Sequence, residues 1–175
     1  MSSDLSIAMT RRTLLATLPL PAALAACAPA EVKTFPTLTA AIAAVQLLGT
    51  GYRSTGTWSL AQVLEHAAQS VEYSMTGFPQ TKSPLFQSTL GSAAFAVFDA
   101  RGAMSHSLAE PIPGAPRLGA TLPSAIERLV EALKAFDTHP GPLHPHFAYG
   151  ALGKAEYTRA HLMHLANHWT EIVKD

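Results

Sequence analysis

Apolar residues recur at three- and four-residue spacing in several separate stretches of this chain, and nowhere does apolar/polar alternation persist as a strand would need. The spacing predicts a first helix over Leu38 to Leu48, stopped by Gly49 and Gly51. Ser59 is placed to cap a second, in which Leu60, Val63, Leu64, Ala67, Val71 and Met75 form one stripe before Gly77 and Pro79. A third is expected over Pro84 to Phe98. A fourth carries Leu122, Ile126, Leu129, Val130, Leu133 and Phe136, and the last runs from Lys154 to Val173. Between Arg101 and Ala120 stand Pro111, Pro113, Pro116 and three glycines, so that span is a loop or an ordered excursion. The expected fold is all-α, an antiparallel four-helix bundle with long Pro/Gly-rich connections.

With 48% hydrophobic and 14% charged residues, the 175-residue chain has the composition of a packed domain, not of a disordered segment. Twelve basic side chains balance twelve acidic ones, which excludes a polybasic nucleic-acid binder. There is no internal repeat. The single cysteine, Cys27, rules out an internal disulfide.

The first 26 residues read as an export signal and are set apart from the fold. Arg11 and Arg12 precede an uncharged run from Thr13 to Ala30, which Pro19, Pro21 and Pro29 interrupt, so it is a weak h-region and not a membrane span. Thr10-Arg11-Arg12-Thr13-Leu14-Leu15 resembles the twin-arginine signal, and Leu24-Ala25-Ala26-Cys27 resembles the lipobox of bacterial lipoproteins. The expectation is cleavage before Cys27, a lipid on its thiol, a tether over residues 27–36 and the bundle over residues 37–175. The mature chain would then carry 10 basic and 11 acidic residues and be held to the periplasmic side of the membrane by its lipid alone.

Chemistry concentrates in the eight histidines, six of which lie between His139 and the C-terminus. On the last helix His161, His164 and His168 fall within an arc of about 60°, beside an apolar stripe of Leu162, Leu165, Trp169 and Ile172. His164 and His168, four apart, have the spacing at which two imidazoles on one helix reach one ion, a pattern that also arises from ordinary packing. His161 is a donor behind such a site or a solvent-facing residue. The segment His144-Pro145-His146-Phe147-Ala148-Tyr149-Gly150 either brings an imidazole to the site or is a packed connector closing the bundle end. His106 and His139 are expected in loops and dispensable.

Gly56-x-Trp58, Val63-Leu64-x-His66, Tyr73 followed by Gly77-Phe78-Pro79, His144-Pro145-x-Phe147 and His164-x-x-Asn167-His168 together resemble the DinB-like superfamily of helical bundles. Within it the pattern is similar to the branch catalogued as domain of unknown function one-five-six-nine, over about Phe35 to Val173. The resemblance implies a four-helix bundle with a divalent metal, of the zinc, nickel or iron kind, on three histidines. By position these are His66, His164 and His168. Where many relatives carry a further histidine this chain has Asn167, which is no substitute for an imidazole ligand but can orient one. His66 lies about 140° from the centre of its helix's apolar stripe, with Gln62, Gln69 and Tyr73, so it either lines a metal cleft or is exposed.

Two functions follow as expectations. One is an exported lipoprotein with a metal-dependent transferase or hydrolase site, the metal a Lewis acid with an open position for a small molecule, and Tyr73 or His161 transferring protons. Glu171 is the one carboxylate on the last helix that approaches the histidine arc. The other is a non-catalytic envelope protein that binds a ligand or serves a structural role.

Overall fold

The structure, a computed structural model, describes residues 35–175, and the predicted signal segment and Cys27 lie outside the described residues. It is mostly helical. Helix α1 (Leu38–Gln46) begins on Thr37, whose hydroxyl accepts the Ala40 N–H, and tightens into a 3-10 turn over Leu47–Gly49. Helix α2 (Leu60–Thr76) opens with a reciprocal cap, Ser59 Oγ accepting from the Gln62 N–H while Gln62 Oε1 accepts from the Ser59 N–H. It stops at Gly77, whose φ of +98° a side chain would disfavour. The one-turn α3 (Pro84–Phe86) continues through a π-helical turn, Gln87–Gly91, into α4 (Ser92–Arg101). Helix α5 (Leu122–Thr138) is capped by Thr121, and α6 (Lys154–Trp169) starts where Glu156 reaches back to the Gly153 N–H.

Four of these helices share one core. Ala41 and Val45 of α1, Leu64, Ala68 and Val71 of α2, Leu129, Leu133 and Phe136 of α5, and Tyr157, Leu165 and Trp169 of α6 belong to one buried cluster. Burying a Val, Leu or Phe side chain here contributes about 1.5–3 kcal/mol. A satellite cluster of Phe95, Met104, Ala160 and Met163 joins α4 and the loop after it to α6, and an Arg159–Asp99 ion pair spans the same two helices. No helix of the described residues is long and apolar enough to cross a membrane.

Two expectations need correction. The last helix ends at Trp169, not Val173, and Ile172–Lys174 form strand β2. It pairs antiparallel with β1 (Tyr52–Ser54), Arg53 opposite Val173. Three residues are too few to display alternation, and the pairing joins distant parts of the chain, so neither strand had a local signal. The third predicted helix is broken in register by the π turn and runs to Arg101. At Gly91 a β-carbon would stand 1.9 Å from the Ala148 carbonyl oxygen, so the widened turn presents bare backbone to the loop ahead of α6.

Candidate metal centre

Helix α2 is buried on two sides. Its apolar stripe faces α5, and its polar side, bearing His66, Gln69, Ser70 and Ser74, is buried as well, toward α6 and the loop between α4 and α5. His66 is therefore 4% exposed: the position opposite the stripe is a cleft wall and not solvent. From α6, His164 and His168 project one turn apart toward it. His164 Nε2 stands 3.2 Å from His66 Nε2 and 3.1 Å from His168 Nε2, and a ligating nitrogen from each ring lies within 4.8 Å of the others.

That spacing suits a metal. Zinc–nitrogen bonds of about 2.0–2.1 Å at tetrahedral angles separate ligand nitrogens by about 3.3 Å, close to the two shorter separations. The rings also stand ready as neutral donors. Burial, then repulsion from His106, lowers His66 to about 4, and burial with the neighbouring imidazoles lowers His168 to about 3 and His164 well below the ordinary range. A metal competes only with protons for a histidine lone pair, so these shifts favour binding at neutral pH. Trp58 covers the cluster, its ring 5.0 Å from His66 and stacked at 6.3 Å on His168. No carboxylate or thiol joins the three rings among the described residues. Glu171 lies beyond α6, where its carbonyl accepts the Thr55 N–H and its carboxylate stands over Gly56.

His66 and His164 line a cleft of about 160 Å³, whose apolar side is formed by Met104, Ile112, Phe147 and Tyr149. His161 lines it too, 4% exposed and lowered to about 3 by burial and then by Lys154. Ser74 gives its own hydroxyl proton to the Val71 carbonyl (2.6 Å), so His161 Nε2 is the donor in its 3.3 Å contact with Ser74 Oγ. Tyr73 does not come to the site. Seven residues, or about 10 Å, along α2 from His66, it packs on Phe78 at 5.7 Å and is absent from the cleft wall. His144 likewise stays outside, its carbonyl accepting the Tyr157 hydroxyl and its ring over Gly77.

His146 and His106 are the additions. His146, 8% exposed, lines the cleft, stacked on Tyr149 at 4.2 Å and 7°. The expected connector and the expected site element are thus the same segment. His106, expected to be dispensable, places its ring 5.0 Å from His164 and 5.3 Å from His168, with its Nε2 buried and without a partner. Oriented to satisfy both of its ends, the Asn167 amide donates to the Met104 carbonyl (3.2 Å) and accepts the His106 N–H (3.3 Å), fixing that loop against α6. From α2, Glu65 accepts the Gly119 and Ala120 N–H groups at 2.7 and 3.0 Å, and Gln69 donates to the Pro116 carbonyl.

A family model described as "Protein of unknown function (DUF1569)" matches residues 30–175, and the chain belongs to that family. Comparison with curated proteins and with solved structures gives no match.

Proposed function

We propose that this member of the DUF1569 family is a metal-dependent protein of the bacterial envelope, with His66, His164 and His168 holding a divalent ion and a small molecule binding beside it in the cleft. The observation that carries the reading is the convergence of three imidazole nitrogens, one from α2 and two from α6, within 4.8 Å. An all-nitrogen donor set suits zinc, nickel or iron. Three neutral ligands leave the ion its whole charge, and an ion so held supplies Lewis-acid chemistry toward a substrate oxygen or sulfur, the chemistry of a transferase or hydrolase. The chain's own part is to keep the imidazoles unprotonated, to shield them under Trp58 and to hold a substrate against the Met104, Ile112 and Tyr149 wall. Of the two groups nominated for proton transfer, His161 is the one on that wall.

The sharing of one core by α1, α2, α5 and α6 supports reading the domain as a DinB-like antiparallel four-helix bundle. Export by the twin-arginine route, anchoring by a lipid on Cys27 and the absence of a nucleic-acid partner rest on the order of motifs in the first 27 residues and on the near-neutral charge.

Metal analysis of the full-length protein purified from the envelope tests the reading. About one equivalent of a divalent metal is expected, with most of it lost in His66→Ala, His164→Ala and His168→Ala and retained in His139→Ala. Thermal stability should fall with metal content, because an ion that binds only the folded state stabilises it by mass action. Full retention by all three ligand variants refutes the site.

A further inference from the structure

The loop ahead of α6 is built around one imidazole. The His146 and Gly150 backbones exchange hydrogen bonds of 2.8 and 3.1 Å, Gly150 turns at φ +79°, and Gln87 Nε2 reaches the carbonyls of His146 and Phe147 at 3.3 and 3.1 Å. Inside this turn His146 Nδ1 lies 3.2 Å from the backbone N–H of Ala148 and 3.2 Å from that of Tyr149. A backbone N–H only donates, so Nδ1 holds its lone pair and the proton of the neutral ring is on Nε2. That ring edge meets no partner among the described residues, on a side chain that lines the cleft.

His106 has the opposite arrangement. Its Nδ1 lies 2.8 Å from the Ser107 carbonyl, which only accepts, so Nδ1 carries the proton and the buried Nε2 keeps a lone pair. Both side chains line the same cleft, one ring fixed as an Nε2 donor and the other as an Nε2 acceptor. Each is set by backbone groups and not by the metal. Neither residue belongs to the three-histidine group.

We propose that the cleft recognises a ligand carrying an acceptor and a donor side by side, a primary carboxamide, with His146 Nε2–H donating to its carbonyl oxygen and His106 Nε2 accepting from its N–H. This rests on the reading of the cleft as the binding site, and it names the class of group that lies there. Burial, then electrostatic repulsion from the His161 and His106 rings, lowers His146 to about 3, so the ring stays a neutral donor across the physiological range. The apolar wall excludes the water that would otherwise compete for both groups.

The test uses the full chain labelled with nitrogen-15 and two-bond proton–nitrogen correlation of the histidine rings, which distinguishes the tautomers directly. The expected spectrum has Nε2–H for His146 and Nδ1–H for His106. Titration with acetamide, which has both groups, should move both rings saturably, whereas acetone, an acceptor only, should move His146 alone. His146→Phe should weaken acetamide about threefold to tenfold, the effect of one hydrogen bond. An Nδ1–H His146, or an unsaturable response to acetamide in the wild-type chain, overturns the proposal, and neither arm needs a variant to fold. Cobalt binding by the same sample reports separately on the metal reading: a chain that binds cobalt but ignores acetamide defeats this inference alone, and one that binds acetamide but no cobalt defeats the other.

Discussion

Acid should unfold this domain well above the pH at which its carboxylates titrate, because so many imidazoles are buried in the neutral form. His66, His146, His161 and His168 are each less than 9% exposed, and their folded values lie near 4, 3, 3 and 3 against 6.5 in an unfolded chain. Between those limits the unfolded state binds protons that the folded state refuses, so stability rises with pH through the window. The stabilisation is fully present above about pH 6.5 and is lost as pH falls from there toward about 3–4. An imidazole with these two values contributes about 2 kcal/mol to the difference between pH 7 and pH 5. His146 and His161 alone give about 4 kcal/mol, and all four give about 8, against a total stability of about 5–15 kcal/mol for a domain. Ordinary carboxylates titrate below about pH 5 and add little between pH 5 and pH 7.

Urea unfolding followed by far-ultraviolet circular dichroism, in chelator so that metal binding does not contribute, measures the effect. With a slope of about 1.5 kcal/mol/M, the midpoint should fall by at least about 2.5 M between pH 7 and pH 5. His161→Phe should flatten the dependence by about one proton, or about 1.4 kcal/mol per pH unit. A midpoint that moves by less than about 0.5 M would show that these rings are solvated in the folded protein, and the argument for pre-formed neutral donors would go with it.

Other consequences can be checked as directly. Gly91→Ala should cost about 1–3 kcal/mol in urea unfolding and disturb the His146 ring in nitrogen-15 spectra, since the new methyl meets the Ala148 carbonyl and not a yielding side chain. Glu65→Ala should cost about 3 kcal/mol, because it strips the acceptor from two backbone N–H groups and one partner from Arg128, with Glu65→Gln milder; an unchanged midpoint would refute the anchoring of that loop. Cys27→Ser should abolish acyl labelling and leave uncleaved precursor, while Arg11→Lys with Arg12→Lys should block export, and normal processing of both variants would remove the address.

What the sequence discloses about this fold is what repeats locally. The apolar stripes of α2 and α5, the cap Ser59 and the stop Gly77 are properties of a few neighbouring residues, and those helices lie where periodicity puts them. The pair His164 and His168 is legible for the same reason, because four residues on one helix fix a distance in advance. His66 is the intermediate case. Its wheel position says only that it faces away from the apolar stripe, and whether that direction is water or a second protein surface depends on what α6 and the loop after α4 do. Both cover it, so a polar face became a cleft.

His106 marks where such reading stops. Nothing within its own stretch, a proline- and glycine-punctuated loop without periodicity, carries information about α6, which begins 48 residues on (154 − 106). Its place comes from contacts at several widely separated points: the Asn167 amide on the His106 backbone, Gln69 on Pro116 and Glu65 on Gly119 and Ala120. Two of these come from the same polar side of α2 that supplies His66, and the third from the residue next to His168. The elements that present the histidine cluster therefore also hold the loop that completes the cleft. A substitution that moves that loop should change the cleft while leaving the three-histidine geometry in place, which makes Glu65→Gln, read by the His106 ring signal together with metal content, a way to separate the two. Metal retained with a displaced His106 signal is the expected result; joint loss of both would mean that loop and metal site fold as one unit.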